Sequence, residues 1–322
     1  MRIESITSAQ NPKIKNLLLL QEKSRVRKEQ GLFVVEGRRE LEHCVAAGLR
    51  VRTLFVCPEI AGPDASVAKV APCCGTPLTS FAPAPPIVSC VPASQELVSN
   101  GPLPLPVSGG GHARSKEPPS SATTSEPATV IEVPEALYRK IAYREGTEGI
   151  IAEVECRERH LEDLQLSENP LIVVLEAVEK PGNLGAVLRS ADAAGADAVI
   201  VCDPLTDLWN PNLIRASIGA IFTVPTVAAP SAEVIPWLKR HGIRILTAQL
   251  QDSEWYYETP MTGGTALVMG TESTGLTQQW REAADAHIRI PMCGRLDSLN
   301  VSVSAAILLF EAVRQRKSTT TK

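Results

Sequence analysis

The chain has 322 residues, 44% hydrophobic and 21% charged, with a formal net charge of −4. That length suggests about two domains, at roughly 100–200 residues each. The charge excludes a generic polycation, and no apolar stretch approaches the roughly 20 residues of a membrane span.

The N-terminal "MRIESITSAQNPKIK" is polar and lacks the apolar centre of a signal peptide, which points to the cytoplasm. Eight cysteines are present. None forms a CxxC pair and no histidine lies at zinc-finger spacing, so reduced thiols and no metal are expected.

"NPKIKNLLLLQEKSRVRKEQG" reads as one helix closed by Gly31, with Leu17, Leu18 and Leu20 on its apolar side. Within it, Lys13, Lys15, Lys23, Arg25, Arg27 and Lys28 face a single acid, Glu22. Such a run is either a solvated helix face or a phosphate-contacting surface. "LFVVEG" reads as a strand, "RRELEHCVAAG" as a second helix ending at Gly48, and "VRTLFVC" as another strand.

Residues 62–128 then hold 13 of the 25 prolines and only seven charged residues. A stretch of that composition cannot offset its ordering entropy by burial, so a flexible insertion is expected, with a Pro-rich ligand for a partner as the alternative. Strand, short helix and strand return over 129–155 and complete a first domain, 1–160. A charged connector covers 161–169, a second domain 170–316 and a tail 317–322.

From Leu171 the chain alternates strand and helix. Strands are expected at "LIVVLE", "AVIVC", "TVPTV", "IRILTAQ", "TALVMG" and "AHIRI", with helices at 183–195, 211–220, 232–241 and 298–315. Ser231 is expected to cap the third helix and Gly242 to end it. This alternation implies an α/β fold, a parallel sheet with helices on both faces. Ligands of such sheets bind at the carboxyl ends of the strands, which directs attention to the loops after "LIVVLEA" and "TALVMG".

Three segments stand out. "PGNLGAVLR" comes just after the first buried strand. Gly182 and Gly185 are spaced G-x-x-G, short of the G-x-G-x-x-G of a dinucleotide site, although Asp203 lies where a ribose-binding acid would. Asn183 falls at the turn and Arg189 further along the helix, where a lone arginine is ordinarily a surface residue. "VMGTESTGL" is a strand running into a tight turn, with Glu272 between Gly270 and Gly275. "IRIPMCGRLDSLNVSVSAAILLFEAVRQR" is a strand stopped by proline, a loop, and a helix. Val303, Ile307, Phe310 and Val313 give that helix an apolar face suited to the core or to a dimer seam.

No one segment is decisive, but their order and spacing are. Together they resemble the SpoU, or TrmH-like, RNA ribose 2′-O-methyltransferases of the SPOUT superfamily. "NPNLIRASIGAIFTVP" is similar to the family's pattern between the first two motifs, and the first 60 residues resemble the small RNA-binding domain that precedes the catalytic domain in many members. The likeness covers 1–60 and 129–316 and leaves out the Pro-rich segment.

The resemblance implies a trefoil knot near the C-terminus, S-adenosylmethionine as cofactor, and a homodimer whose active site draws on both subunits. It implies that Gly270, Ile290 and Leu299 line the cofactor pocket. Arg189, Asn183, Glu272, Ser298 and Asn300 would then serve the reaction, with Arg189 stabilising a developing oxyanion and gripping phosphate. Lys13, Lys15, Arg25, Arg27 and Lys28 are the expected RNA contacts. Ribosomal RNA is the first choice of substrate and transfer RNA the second. The rival classes are a non-catalytic RNA-binding protein on this fold and a nicotinamide-dependent oxidoreductase.

Overall fold

The computed structural model describes residues 2–62, 128–143, 148–271 and 274–320. The Pro-rich segment (apart from Gly62 and Ala128) and Glu272 lie outside the described residues.

The amino-terminal sheet comprises β1 (Arg2–Ser5), β2 (Leu32–Glu36), β3 (Val51–Val56), β4 (Thr129–Glu132) and β5 (Ile150–Glu155). Their order is β1-β4-β3-β5-β2, parallel around β4 and antiparallel around β5. Five helices accompany it: α1 (Pro12–Glu22), α2 (Ser24–Gln30), α3 (Arg38–Ala46), α4 (Pro58–Ala61) and α5 (Glu135–Ile141).

The single helix expected over residues 11–31 is therefore two. The Asn11 side chain caps α1 by accepting from the Lys13 N–H at 2.9 Å, and Pro12 occupies the first turn, where its missing donor costs nothing. The break falls at Lys23, which is extended. Its cause is Arg27. The guanidinium reaches back to the carbonyls of Leu20 and Gln21, at 2.6 and 3.2 Å. Those acceptors are left over at the end of α1 and need donors.

Arg27 Nε also donates to the Asp207 carboxylate at 2.7 Å, with the two side chains only 3% and 9% exposed. Arg27, expected on the RNA surface, is instead a buried ion-pair residue. Of the other expected contacts in that run, Lys13, Lys15, Arg25 and Lys28 are all exposed, Lys13 pairing with Glu4 and Arg25 with Glu29.

The second sheet has seven strands, all parallel: β6 (Leu171–Glu176), β7 (Ala198–Cys202), β8 (Thr226–Ala229), β9 (Arg244–Ala248), β10 (Glu254–Trp255), β11 (Thr265–Met269) and β12 (Ala286–Arg289). The helices are α6 (Pro181–Ala194), α7 (Pro211–Ser217), α8 (Ala220–Thr223), α9 (Ser231–Arg240), α10 (Gln278–Ala283) and α11 (Val301–Thr320). Several boundaries differ from expectation. β8 begins at Thr226 because Ala220–Thr223 is helical and Pro225 has no N–H to donate. α11 starts at Val301 and continues to Thr320, through most of the expected tail. β10 and α10 are additions to the expected elements. Ser231 does not cap α9. Its N–H and hydroxyl both donate to Asp203, so the cap is an aspartate from the end of β7. Gly242 comes just after the helix end with φ +65.

Both faces of this sheet are covered, which is why its strands read as unbroken apolar runs. Leu171, Val173 and Leu175 face one core with α6 and α11, and Ile172 and Val174 face the other with α9 and α10. The first core continues without a break into the amino-terminal sheet. There Phe33 of β2 stacks on Trp209 with ring centroids 4.5 Å apart, and Phe222 lies 6.0 Å away.

α6 and α7 meet most closely at Gly185. A Cβ built there would stand 2.5 Å from Ala216 Cβ and 2.7 Å from its carbonyl carbon. The second glycine of "GNLG" is thus fixed by helix packing, not by a phosphate.

Two changes test these contacts. Arg27→Ala is expected to cost about 3–5 kcal/mol, because it strands a buried Asp207. Urea unfolding of the single and double variants at Arg27 and Asp207 would show it as strong coupling. In Gly185→Ala, overpacking of about 1–3 kcal/mol opposes a helix-propensity gain of at most ~1 kcal/mol. The contact is with backbone, which cannot yield, so a lowered Tm is expected.

Candidate active site

The strand order is β10-β12-β9-β11-β6-β7-β8. From β6 the chain moves outward through β7 to β8, whereas from β11 it moves the other way, through α10 to β12. β6 and β11 are neighbours, paired from Leu171↔Thr265 to Leu175↔Met269. Their carboxyl ends therefore mark the switch point at which open parallel sheets form a crevice. The three loops singled out in the sequence leave β6, β11 and β12.

Glu176 ends β6 and is 2% exposed. Its carboxylate accepts from the Thr277 N–H at 2.8 Å and the Thr277 hydroxyl at 2.6 Å. A buried carboxylate needs such donors, and here they tie the loop after β11 to the end of β6. Sequence reasoning passes over Glu176, although an acid closing an otherwise apolar strand is a visible signal.

The loop after β11 is a tight reversal. Thr271 and Gly275 exchange both backbone hydrogen bonds, and the Thr271 hydroxyl accepts from the Thr274 N–H at 3.0 Å. A Cβ on Gly270 would lie 2.3 Å from the Gly275 carbonyl, and Gly275 itself has φ +69. Both glycines are required by this fold of the loop.

The loop after β6 leads directly into α6, with Pro181 in its first turn. Asn183 Oδ1 accepts from Asn300 Nδ2 at 3.2 Å. Asn300 in turn caps α11. Its carbonyl receives the Val303 and Ser304 N–H groups, and its Oδ1 receives the Ser302 N–H at 3.0 Å and hydroxyl at 2.6 Å. Two long helices thus begin side by side, joined by an amide pair. Their amino ends carry partial positive charge and suit an anionic group.

The remaining expected site residues are placed differently. Ser298 is exposed and donates to Asp297 at 3.2 Å. Arg189 is exposed on α6. Six residues separate it from Asn183, which at about 100° per residue turns it about 120° away around the helix. This structure therefore joins Asn183 with Asn300 and does not bring Arg189 to them.

Ile290 is half-buried against the first core, and Leu299 and Leu296 are 38% and 75% exposed. Among the described residues, no backbone–backbone hydrogen bond is made within 291–299. The segment thus offers free amides and carbonyls beside exposed apolar side chains. Nearby, Arg289 lies 4.3 Å over the Trp255 ring of β10, a contact the sequence does not suggest.

Other chemistries find little support in the geometry. Asp203, the expected ribose acid of a dinucleotide site, is engaged in capping α9. Burial pushes the thiols of Cys44, Cys156 and Cys202 up to about 12, so they stay protonated near neutral pH. The five cysteines among the described residues are unbridged, and no described cluster of acids, histidines and cysteines could hold a metal. No described helix is long and apolar enough to cross a membrane.

Comparison with known proteins agrees with the geometry. Residues 170–310 match the SpoU rRNA Methylase family, and residues 11–81 match an MRM3-like substrate binding domain. The 23S rRNA (guanosine-2′-O-)-methyltransferase RlmB of Escherichia coli (strain K12) is 42% identical over 175 residues, 52% of this chain and 72% of its own length. A crystal structure of an RNA 2′-O ribose methyltransferase superposes with a TM-score of 0.70 at 35% identity, covering 97% of this chain and 99% of that one. An AdoMet-bound rRNA methyltransferase from Sinorhizobium meliloti gives 0.75 at 26% identity, covering 98% of both chains. The chain belongs to the SpoU rRNA methylase family.

Proposed function

We propose that this protein transfers a methyl group from S-adenosylmethionine to a ribose 2′-hydroxyl of ribosomal RNA, with a guanosine of 23S rRNA as the first candidate. The observation that carries this reading is the Asn183–Asn300 pair, which brings the first and third motifs together at the switch point. The relatives named for 23S rRNA guanosine favour ribosomal over transfer RNA.

The loops fit the cofactor. The segment 291–299 has backbone groups free to meet the edge of an adenine, and Leu296 and Leu299 present apolar surface to its face. Gly270, Ile290 and Leu299 are the residues proposed to hold it. When bound, the cofactor supplies an electrophilic methyl group.

The chain's own residues prepare the nucleophile. A neutral ribose hydroxyl is a poor one, and charge develops on its oxygen as it reacts. Arginine keeps its proton near neutral pH. Arg189 therefore stabilises that oxyanion and grips the neighbouring phosphate, and does not act as a base. Asn183 and Asn300 orient the ribose, with the helix amino ends nearby. Ser298 and Glu272 complete the set, Glu272 by positioning Arg189.

Arg189 is exposed about 120° around α6 from Asn183, which supports an active site shared between two copies. A homodimer through this half of the protein belongs to the proposal. Its support is the stripe Val303, Ile307, Phe310 and Val313. Val303 and Phe310 of that stripe are 46% and 49% exposed, outside the buried face of α11 (Val301, Ala305, Leu308, Leu309, Ala312), while Val313 packs against the core. The knot belongs to it too. Arg316 of α11 donates to carbonyls of Asn169, Met261 and Gly263, so that helix is clasped between the segments that enter β6 and β11. Lys13, Lys15, Arg25 and Lys28 remain the exposed candidates for RNA contact from the amino-terminal half, in a protein acting in the cytoplasm.

Arg189→Ala is expected to abolish transfer of tritium from labelled S-adenosylmethionine to ribosomal RNA while calorimetry shows nearly unchanged cofactor affinity. Equal loss of both would refute its role. Phe310→Glu is expected to yield monomers by sedimentation and to lose activity with them. Mapping ribose methylation in ribosomal RNA from a deletion strain would identify the nucleotide.

A further inference from the structure

A cavity of about 600 Å³ lies between α2, the segment that leaves β5, and the loop after β7. That volume is in the range that holds one ligand of nucleotide size. The Arg27–Asp207 pair lines it. Leu205, Leu208 and Trp209 give it apolar wall, and Leu205 is 64% exposed. Lys28, Arg157 and Arg159 add cationic groups.

The charge of the lining is unbalanced. Its acids are Glu158 and Asp207, with Asp163 close enough to act on Arg159 from outside the lining, and Asp207 is already neutralised by Arg27. Arg159 is half-buried, and burial followed by the charge of Arg157 lowers its pKa from the ordinary value. A partly desolvated guanidinium beside a second one favours an anion. Phosphate next to an apolar wall is the chemistry of a nucleotide, and unstacked RNA bases are commonly received on aromatic and arginine surfaces.

Position narrows the choice. The loop after β7 opens on the same carboxyl edge of the sheet as the loop after β6, and β7 pairs directly with β6, about 5 Å away. The cavity therefore shares that edge of the sheet with the loop that leads to Asn183, and it lies on the side of the amino-terminal sheet.

We propose that this cavity is a second RNA subsite, which takes one unstacked nucleotide of the substrate near the ribose to be methylated. The base lies against Leu205 and Trp209, and its phosphate is held by Arg159 and Lys28. This rests on the ribosomal RNA reading above. The site would make recognition depend on the conformation of a flanking nucleotide as well as on the target.

The test uses the full chain and ribosomal RNA from a strain lacking this methylation, with tritium transfer as the assay. Arg159→Ala and Leu205→Ala are each expected to raise KM for RNA about tenfold, with most of the loss in KM and little in kcat. Arg159→Lys should recover part of it. Leu205 is exposed, so its variant is expected to fold, and circular dichroism checks this. RNA carrying 4-thiouridine and 6-thioguanosine should cross-link to the peptide 204–209. Transfer with KM unchanged within twofold in both variants, or no cross-link there, overturns the subsite alone. No transfer by the unaltered chain to any ribosomal RNA overturns the substrate reading and this one with it. Saturable quenching of tryptophan fluorescence by adenosine or guanosine monophosphate that RNA does not displace also overturns it, in favour of a free-nucleotide site.

Discussion

A carboxylate that is taken out of water has to be given donors, and the whole carboxyl edge of the second sheet is arranged around that requirement at Glu176. Parallel strands pair along their lengths, but nothing in the pairing fixes the path of the chain beyond each strand's end. The bonds from Thr277 to Glu176 do so for the two strands that matter, β6 and β11. Thr271 and Gly275 pair just before Thr277, and the amino ends of α6 and α11 meet on the same edge through Asn183 and Asn300.

Arg27 plays the corresponding part between the two sheets. One guanidinium completes the end of α1, sets where α2 begins, and neutralises an aspartate from the loop after β7. Together with the Phe33–Trp209 stack it makes the amino-terminal sheet a continuation of the catalytic core. The cavity between the two sheets is lined by the same Arg27, Asp207 and Trp209.

Much of this is legible in the sequence. The strands of the parallel sheet stand out because burial on both faces forces unbroken apolar runs such as "LIVVLE" and "AVIVC". The site emerges from the order of three motifs, although the contact that unites them spans 117 residues and no local pattern announces it. The hidden features depend on partners far away in the chain. Arg27, which spans the helix break at Lys23, has its carboxylate partner 180 residues away. Arg27 looks like any member of a basic run until its partner is known. The cap of α9 comes from Asp203, and two-residue β10 is too short to carry a periodicity. The divergence of Arg189 from Asn183, by contrast, is implicit in helical geometry from the start.

Gly185 carries a wider consequence. A glycine after a buried strand is commonly taken as room left for a ligand, yet here the space is filled by the protein's own backbone at Ala216. Glycine spacing records where two main chains come within a methyl group of each other, and is silent on whether the second belongs to a cofactor or to the next helix. In this chain the vacancy that suggests a bound nucleotide is a hinge pin between α6 and α7. The contact that unites the motifs is found by asking instead which polar side chains the packing leaves facing one another.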